Sequence, residues 1–198
     1  MRSAERICLL MCAVIVAGCA VPRPGHEAQG SAAVSADARE RFGRALELME
    51  AGNDRAEPEL IALARDFPTL AGPCVNLGIL YAASGRLQEA EAAFERALKR
   101  NPASAAAHNG LGIVYRRTGR FAEAHKSYGR ALAADPEYEP ALLNRGMLND
   151  LYLQRPEAAL ADYERYLSLH PGEDGDIEKW IRDLRLRIAR RTARSDVR

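Results

Sequence analysis

The sequence predicts an all-α protein built from stacked antiparallel helix pairs. Three observations support this fold class. Alanine and leucine supply most of the 47% hydrophobic residues, while aromatic residues make up only 6%, a mixture that favours helix over sheet. The same residue types recur at one fixed interval along the chain. The C-terminal part carries one apolar stripe with helical spacing. A chain of 198 residues can bury one moderate core.

The interval is carried by leucine, glycine, aromatic, alanine and proline positions. These pairs are all separated by the same distance in the sequence: Leu77 and Leu111, Gly78 and Gly112, Tyr81 and Tyr115, Gly85 and Gly119, Ala90 and Ala124, Phe94 and Tyr128, Ala97 and Ala131, Pro102 and Pro136. Gly146 continues the glycine series once more. Self-similarity at a fixed period of this length indicates a solenoid whose repeats each contact only their neighbours.

The order Leu-Gly-x-x-Tyr, alanine, aromatic, alanine and proline resembles the signature of tetratricopeptide repeats (TPR). The interval between equivalent residues equals the length of one such repeat, about 34 residues. The resemblance covers about 37–172 and is most specific for the units 71–104 and 105–138. It implies a TPR α-solenoid of about seven helices in antiparallel pairs. A further helix after the last unit is expected to cap the open end.

Two units depart from the signature. The stretch 37–70 is a degenerate first unit, identified by Pro68, which lies one full interval before Pro102. In the unit 139–172 the alanine, aromatic and proline positions of the second helix come one residue later than the interval predicts. We therefore expect one inserted residue between Gly146 and Ala159, in the stretch 149–156. The same stretch lacks an equivalent of Gly85 and Gly119.

Small residues in the repeat have a physical reason. Gly78, Gly112 and Gly146 let the two helices of a unit approach closely, since a Cβ atom would push them apart. Gly85 and Gly119 can adopt the left-handed conformation that ends a first helix. The spacing therefore predicts both the helix contacts and the turns between them.

The segment 173–198 is predicted to form the capping helix and a basic tail. Its apolar stripe consists of Ile177, Trp180, Ile181, Leu184 and Ile188. The tail from Arg187 onwards holds five arginines. Solvation, contact with anionic lipid and contact with nucleic acid are three readings of this tail. Solvation is favoured, because an exported protein does not meet nucleic acid.

The N-terminus is predicted to be a lipoprotein signal peptide. A basic start and the apolar run 7–17 fit a secretory signal, whereas a membrane span needs about 20 residues. The run ends Val16-Ala17-Gly18-Cys19, which resembles the bacterial lipobox. That resemblance implies cleavage after residue 18 and acylation of Cys19, for example by palmitate. An ordinary signal with a chance cysteine remains the alternative.

Residues 19–36 are predicted to be a flexible tether, because they are rich in Pro, Gly, Ser and Ala without apolar periodicity. The expected location is the cell envelope, lipid-anchored and facing the periplasm. Ala20 follows the cysteine, and by resemblance to enterobacterial sorting this implies the outer membrane. The processed chain would carry equal numbers of basic and acidic residues, so no nucleic-acid partner is expected.

The resemblance also implies a concave groove lined by the first helices of the units. Helical geometry offsets the groove face from the packing face, and it selects apolar residues, amides and one arginine. The expected groove residues are Val75, Asn76, Ile79, Asn109, Ile113, Arg116, Leu143, Asn144 and Met147. Such a surface suits a protein or peptide partner.

No catalytic, cofactor or metal site is expected. Only Cys74 lies in the predicted folded region, without a second cysteine or a close histidine pair, which disfavours a disulfide and a zinc site. His108 and His125 are expected on different helices with no nucleophile motif around them. The predicted function is an envelope-anchored TPR adaptor. The alternatives are a pilotin-like lipoprotein for a secretin or pilus system and an accessory of a cell-wall enzyme.

Overall fold

The computed structural model describes residues 35–169, 171–172 and 175–195, and the signal peptide, Cys19 and nearly all of the tether lie outside this part. The described residues form nine α-helices and no strand. The helices are α1 Ala36–Glu50, α2 Ala56–Asp66, α3 Gly72–Ala83, α4 Leu87–Arg100, α5 Ala105–Arg117, α6 Phe121–Ala134, α7 Glu139–Leu151, α8 Pro156–Leu169 and α9 Gly175–Ser195.

The first eight helices form four consecutive pairs. Within each pair the helices pack together, and the connecting turns are short, so neighbouring helices run antiparallel. The first helices also contact one another, α3 with α5 and α5 with α7. The predicted all-α arrangement of stacked antiparallel helix pairs is thus confirmed, although the expected number of about seven helices in the pairs was one too low.

The close approach within each pair depends on a missing side chain. A Cβ atom built on Gly78 would lie 2.6 Å from the Phe94 ring, and one built on Gly112 would lie 2.3 Å from the Tyr128 ring. Phe94 also packs on Gly110 of the next unit, where a Cβ would lie 2.3 Å from the ring. These separations are far below van der Waals contact, so the aromatic rings occupy the space that glycine leaves.

The turns between paired helices show where the fourth unit differs. Gly85 and Gly119 end the first helices of their units with φ angles of 78° and 77°. In the fourth unit the turn spans 152–155, one residue longer than the turns 84–86 and 118–120. There Gln154 takes the left-handed conformation with a φ of 53°. The inserted residue therefore lengthens this turn while the backbone keeps its left-handed bend.

A junction clamp of one arginine, one tyrosine and two glutamates ties the first unit to the second. Arg86 donates to both carboxylate oxygens of Glu57 on α2, at 2.7 and 3.1 Å, and its Nε donates to Glu89 on α4 at 2.7 Å. Its guanidinium carbon lies 4.2 Å from the centroid of the Tyr81 ring. The stacking and the bidentate pair hold the arginine in one position.

The clamp recurs in the next repeat and then stops. The second clamp consists of Arg120, Tyr115, Glu91 and Glu123. At the last junction His125 stands in the position of Glu91, and Asn149 stands in the position of Tyr115. The fourth unit is therefore attached by other contacts.

The capping helix α9 packs on α8. Ile177, Ile181 and Leu184 are buried in a cluster with Tyr163, and the Trp180 ring lies 5.7 Å from the Tyr163 ring. The predicted capping helix is thus confirmed. Among the described helices, none combines the length and the apolar character that a bilayer span requires.

Two arginines of the basic tail are ion-paired to the last unit. Arg187 Nη2 lies 2.7 Å from Asp150 Oδ1 of α7, and Arg191 pairs with Glu157 of α8. These contacts fasten α9 along its C-terminal half. They also reduce the positive charge that this part of the tail presents to other molecules.

Candidate partner-binding groove

One column of apolar side chains runs along the face where the first helices lie side by side. Ile79 of α3, Ile113 of α5 and Met147 of α7 occupy the same position in three successive repeats. All three are partly exposed. We call these three residues the groove column. Because α3 contacts α5 and α5 contacts α7, these three equivalent positions lie on successive neighbouring helices.

Two predicted groove residues lie beneath this surface. Val75 keeps only 8% of its surface exposed and Asn109 only 6%. Asn144 donates from its amide nitrogen to the Asn109 side-chain oxygen at 3.1 Å, a bond that joins α7 to α5. Val75 and Asn109 therefore form part of the groove floor, where a partner could reach little of either side chain.

The remaining predicted residues are partly exposed. The Asn76 amide nitrogen donates to the carbonyl of Gly72 one turn earlier, at 3.1 Å. Leu143 and Met147 pack against the hydrophobic cluster that α8 and α9 share. The C-terminal end of the groove therefore adjoins the capping helix. At the other end, one hydrogen of the Asn76 amide is already bonded within its own helix.

Arg116 and Arg117 have different environments, although they are adjacent in the sequence. Arg117 donates to the carbonyl of Ala82 at the end of α3 and so joins two units. Arg116 is partly exposed, and its Nε is buried without a hydrogen-bond partner. Burial opposes its charge, whereas the phenol groups of Tyr128 and Tyr152 favour it, and its pKa is raised overall.

The hydroxyl group of Tyr128 lies in the core beside Arg116. Tyr128 is completely buried, and its hydroxyl has no hydrogen-bond partner. Burial raises the pKa of Tyr128 to about 12, so the phenol stays protonated at neutral pH. The sequence did not reveal this neighbour of Arg116, because the aromatic positions of second helices predict only packing.

Tyr152, the other phenol that influences the pKa of Arg116, lies at the protein surface. Its ring is 4.8 Å from the Phe121 ring, and 39% of the residue is exposed. Tyr152 belongs to the lengthened turn of the fourth unit. The sequence signal for it was the one-position shift in the repeat, which located an insertion but not the direction of the side chain.

His108 and Cys74 have structural partners. His108 Nε2 donates to the carbonyl of Pro102 at 3.0 Å, and burial lowers the pKa of His108. Cys74 is buried, and its Sγ accepts a hydrogen bond from Arg100 at 3.0 Å. Across the described residues, no three His, Cys, Asp or Glu side chains come together as metal ligands.

Comparison with known proteins agrees with the repeat architecture. The family model for the tetratricopeptide repeat matches residues 75–139 and 113–174, which together make up half of the chain. The chain belongs to the tetratricopeptide-repeat family. No curated protein sequence matches it. TPR domains are protein-interaction scaffolds, and this family is typically not enzymatic.

Three solved structures resemble this TPR protein. PilF of Pseudomonas aeruginosa has a TM-score of 0.68 and 20% identity over 78% of this chain and 70% of that one. A TPR protein of Parabacteroides merdae has a TM-score of 0.60 and 23% identity, and the match covers 76% of this chain and 61% of that one. These two show a shared fold. The first TPR of Spaghetti (RPAP3), bound to the HSP90 peptide SRMEEVD, has a TM-score of 0.56 and 26% identity. This match covers 60% of this chain and 93% of that one.

Proposed function

We propose that this protein is an envelope-anchored TPR adaptor that holds an extended segment of a protein partner in its groove. The observation that carries the proposal is the groove column. It places a partly exposed apolar side chain in each of three successive units, and it runs past Asn76, Asn144 and Arg116. Apolar contact combined with hydrogen-bonding groups is the usual composition of a peptide-recognition surface.

Similarity to a peptide-bound TPR domain supports this proposal. The TPR of Spaghetti (RPAP3) is solved with a bound peptide, and its likeness covers 60% of this chain. Short peptides bind such rigid surfaces well, because the surface loses little conformational freedom on binding. The groove of this chain is built on helices held by buried aromatic rings and junction clamps, so it meets that condition.

A photo-crosslinking experiment tests the groove. A photoreactive amino acid is placed at Ile79 or Ile113 in growing cells, and the matched controls place it at Ala92 or Lys126. The controls occupy one exposed position of the second helices in two successive repeats. We expect the same partner protein to be crosslinked from both groove positions and from neither control. Equal crosslinking from Ala92 and Lys126 would contradict the groove as the binding surface.

The identity of the crosslinked protein tests the pathway. Recovery of one component of a multi-protein envelope complex would support a role in assembly. Recovery of a secretin or pilus subunit would favour the narrower pilotin-like function. Recovery of a cell-wall enzyme would favour the accessory function.

Anchoring by an acylated Cys19 is the second part of the proposal. The physical reason is that one acyl chain binds membranes marginally, whereas two or more give stable attachment. Replacing Cys19 with alanine should move the protein from the membrane fraction to the soluble periplasm or leave an unprocessed precursor. Recovery of a processed Cys19→Ala protein in the membrane at the wild-type level would contradict lipidation. The groove experiment is unaffected by this outcome.

A further inference from the structure

The capping helix α9 carries an excess of positive charge. Seven of its residues are basic and three are acidic, and its second half, 184–195, holds five arginines and no acidic residue. Arg187 and Arg191 are ion-paired to α7 and α8, and Arg185 lies 2.7 Å from Glu164 of α8. Three other arginines of the helix take no part in these pairs.

These three arginines share the outer side of α9 with one leucine. Arg182, Arg190 and Arg194 are exposed, and none forms an ion pair with a residue that the structure describes. Together with Leu186 they recur at intervals of four residues, which places them on one side of a helix. The buried stripe that packs on α8 lies on the opposite side. We call Arg182, Leu186, Arg190 and Arg194 the outer stripe.

Acidic side chains of α9 neutralise little of this charge. Asp183 is already committed, because its carboxylate lies 2.8 Å from Arg187 Nε. Glu178 stands one turn before Arg182, near the start of the helix. No acidic residue of α9 lies within one turn of Arg190 or Arg194. The positive charge is therefore strongest along the C-terminal half of the outer stripe, where it attracts an anionic partner.

Leu186 adds an exposed apolar side chain to the row of arginines. Its exposed fraction is 52%. It borders a cleft of about 710 Å³ beside α8 and α9, whose walls also include Leu167, Pro171 and Ile181, with Arg182 at the same cleft. A purely solvated row of charges would not require this apolar surface. Arginines next to exposed apolar surface form the combination that suits the boundary between lipid headgroups and acyl chains.

We propose that the outer stripe of α9 binds the surface of an anionic phospholipid bilayer. The guanidinium groups form charge-assisted hydrogen bonds with lipid phosphates, and Leu186 enters the headgroup boundary. A nucleic-acid backbone would also attract the arginines, but it would leave Leu186 and the cleft in water. This surface is separate from the groove and from Cys19. The proposed lipid anchor would reinforce it, because an acyl group and a basic patch together give firmer attachment than either alone.

A fluorophore that reports on membrane contact tests the proposal. Nitrobenzoxadiazole is attached at Ala193→Cys, next to the outer stripe, and in the matched control at Ala92→Cys on α4; both positions are exposed. The full-length protein, as cells produce it, is placed on vesicles of phosphatidylcholine alone or with about one-third phosphatidylglycerol. Quenching by lipids that carry a spin label on the headgroup is measured, and wild-type protein treated with the same reagent supplies the background.

The label at position 193 should be quenched at least about threefold more on the anionic vesicles than on the zwitterionic ones. High salt should remove the difference, because exposed charges are screened. The label at position 92 should be quenched equally on both. Equal quenching of the position-193 label on the two kinds of vesicle would overturn the proposal.

Charge variants that carry the position-193 label identify the side chains responsible. Arg190→Gln/Arg194→Gln should lower the equilibrium constant for contact about thirtyfold, since each arginine near an anionic surface supplies about fivefold. Arg96→Gln/Arg130→Gln removes the same charge from exposed positions of α4 and α6 and should leave the contact unchanged. Leu186→Asn should weaken it about fivefold. The melting temperature of each variant checks its folding. Wild-type contact in Arg190→Gln/Arg194→Gln would refute the site.

Two further measurements separate the competing explanations. A DNA duplex that binds at physiological salt as tightly as the anionic vesicles, through Arg190 and Arg194, would indicate general polyanion binding and overturn the proposal. Flotation with phosphatidylcholine vesicles reports on the acyl anchor alone. Protein that fails to float there, yet floats with the anionic vesicles and is quenched by them, would contradict anchoring and support the outer stripe. The groove experiment is independent of both results.

Discussion

Arg145 and Asp162 form a bidentate ion pair inside the fourth unit, at positions where the second unit has Leu77 and Ala93. Arg145 Nε and Nη2 donate to the Asp162 carboxylate at 3.0 and 2.6 Å. Only 4% of Asp162 is exposed. The Asn149 amide also donates to this carboxylate, at 3.3 Å. The fourth unit thus joins its two helices through a polar network where the second unit uses apolar contact.

Breaking the pair from one side should be more harmful than replacing it completely. Arg145→Leu leaves a buried carboxylate without its cation, and we expect the free energy of unfolding to fall by about 3 kcal/mol. The double variant Arg145→Leu/Asp162→Ala recreates the apolar pair of the second unit and should recover most of that loss. Urea unfolding of the three proteins measures the coupling. A double variant as unstable as Arg145→Leu would contradict this explanation.

The glycine at the helix contact should not tolerate a methyl group, whereas a nearby glycine should benefit from one. A Cβ on Gly112 would overlap the buried Tyr128 ring, and Gly112→Ala should lower the free energy of unfolding by about 3 kcal/mol. Gly129 on α6 has no atom within 4 Å of such a Cβ. Gly129→Ala should therefore stabilise the protein by about 0.5–1 kcal/mol. Equal effects in thermal unfolding would show that helix propensity alone acts at both sites.

The repeat arrangement could be predicted from sequence because it depends on side-chain size at fixed intervals. Gly78, Gly112 and Gly146 allow the close approach of the paired helices that the spacing predicts, and the structure adds that aromatic rings of those helices lie against them. The depth of the groove could not be predicted in the same way. Helical periodicity gives the direction of Val75 and Asn109 but not their burial, which depends on how closely the neighbouring helices approach.

The neighbours of Arg116 were also beyond the sequence, since one comes from α6 and the other from the lengthened turn of the fourth unit. Tyr128 was identified only as a packing aromatic, and the direction of Tyr152 depends on a turn with one additional residue. The Arg145–Asp162 pair, in contrast, left a visible signal. A charged residue stands where the repeat has leucine at 77 and 111, and the substitution could have prompted a search for a partner on the following helix.

The left-handed turn of the fourth unit offers a reciprocal test. Gln154 has a φ of 53°, a conformation that is unfavourable for residues with a Cβ atom. Gln154→Gly should raise the free energy of unfolding by about 0.5–1 kcal/mol, since glycine adopts this conformation without strain. Gly119→Gln, at the equivalent turn with a φ of 77°, should lower it by a similar amount. Thermal unfolding at one pH compares the two variants. A destabilised Gln154→Gly would mean that the Gln154 side chain makes an important contact.

The junction clamp at Arg86 should make stability depend on pH in the acidic range. The hydrogen bonds from Arg86 lower the pKa of Glu57 below its ordinary value near 4.5, against the opposing effect of burial. A carboxyl group whose pKa is lower in the folded state than in the unfolded state stabilises the fold above its unfolded pKa. That contribution disappears as the pH falls through the folded value.

Glu57→Gln should therefore lower the melting temperature at pH 7 and lose less stability than the wild type as the pH falls below 4.5. The difference between the two proteins should also shrink at high salt, because exposed charges are screened. Glu95→Gln on α4 is the control, since Glu95 is exposed and has no ion pair within the described residues. Melting curves between pH 7 and pH 3 measure the effect. If the wild type and Glu57→Gln differ by the same amount across that range, Glu57 acts by packing and not by its charge, and the recurrence of the clamp at Arg120 would then reflect the stacking of arginine on tyrosine alone.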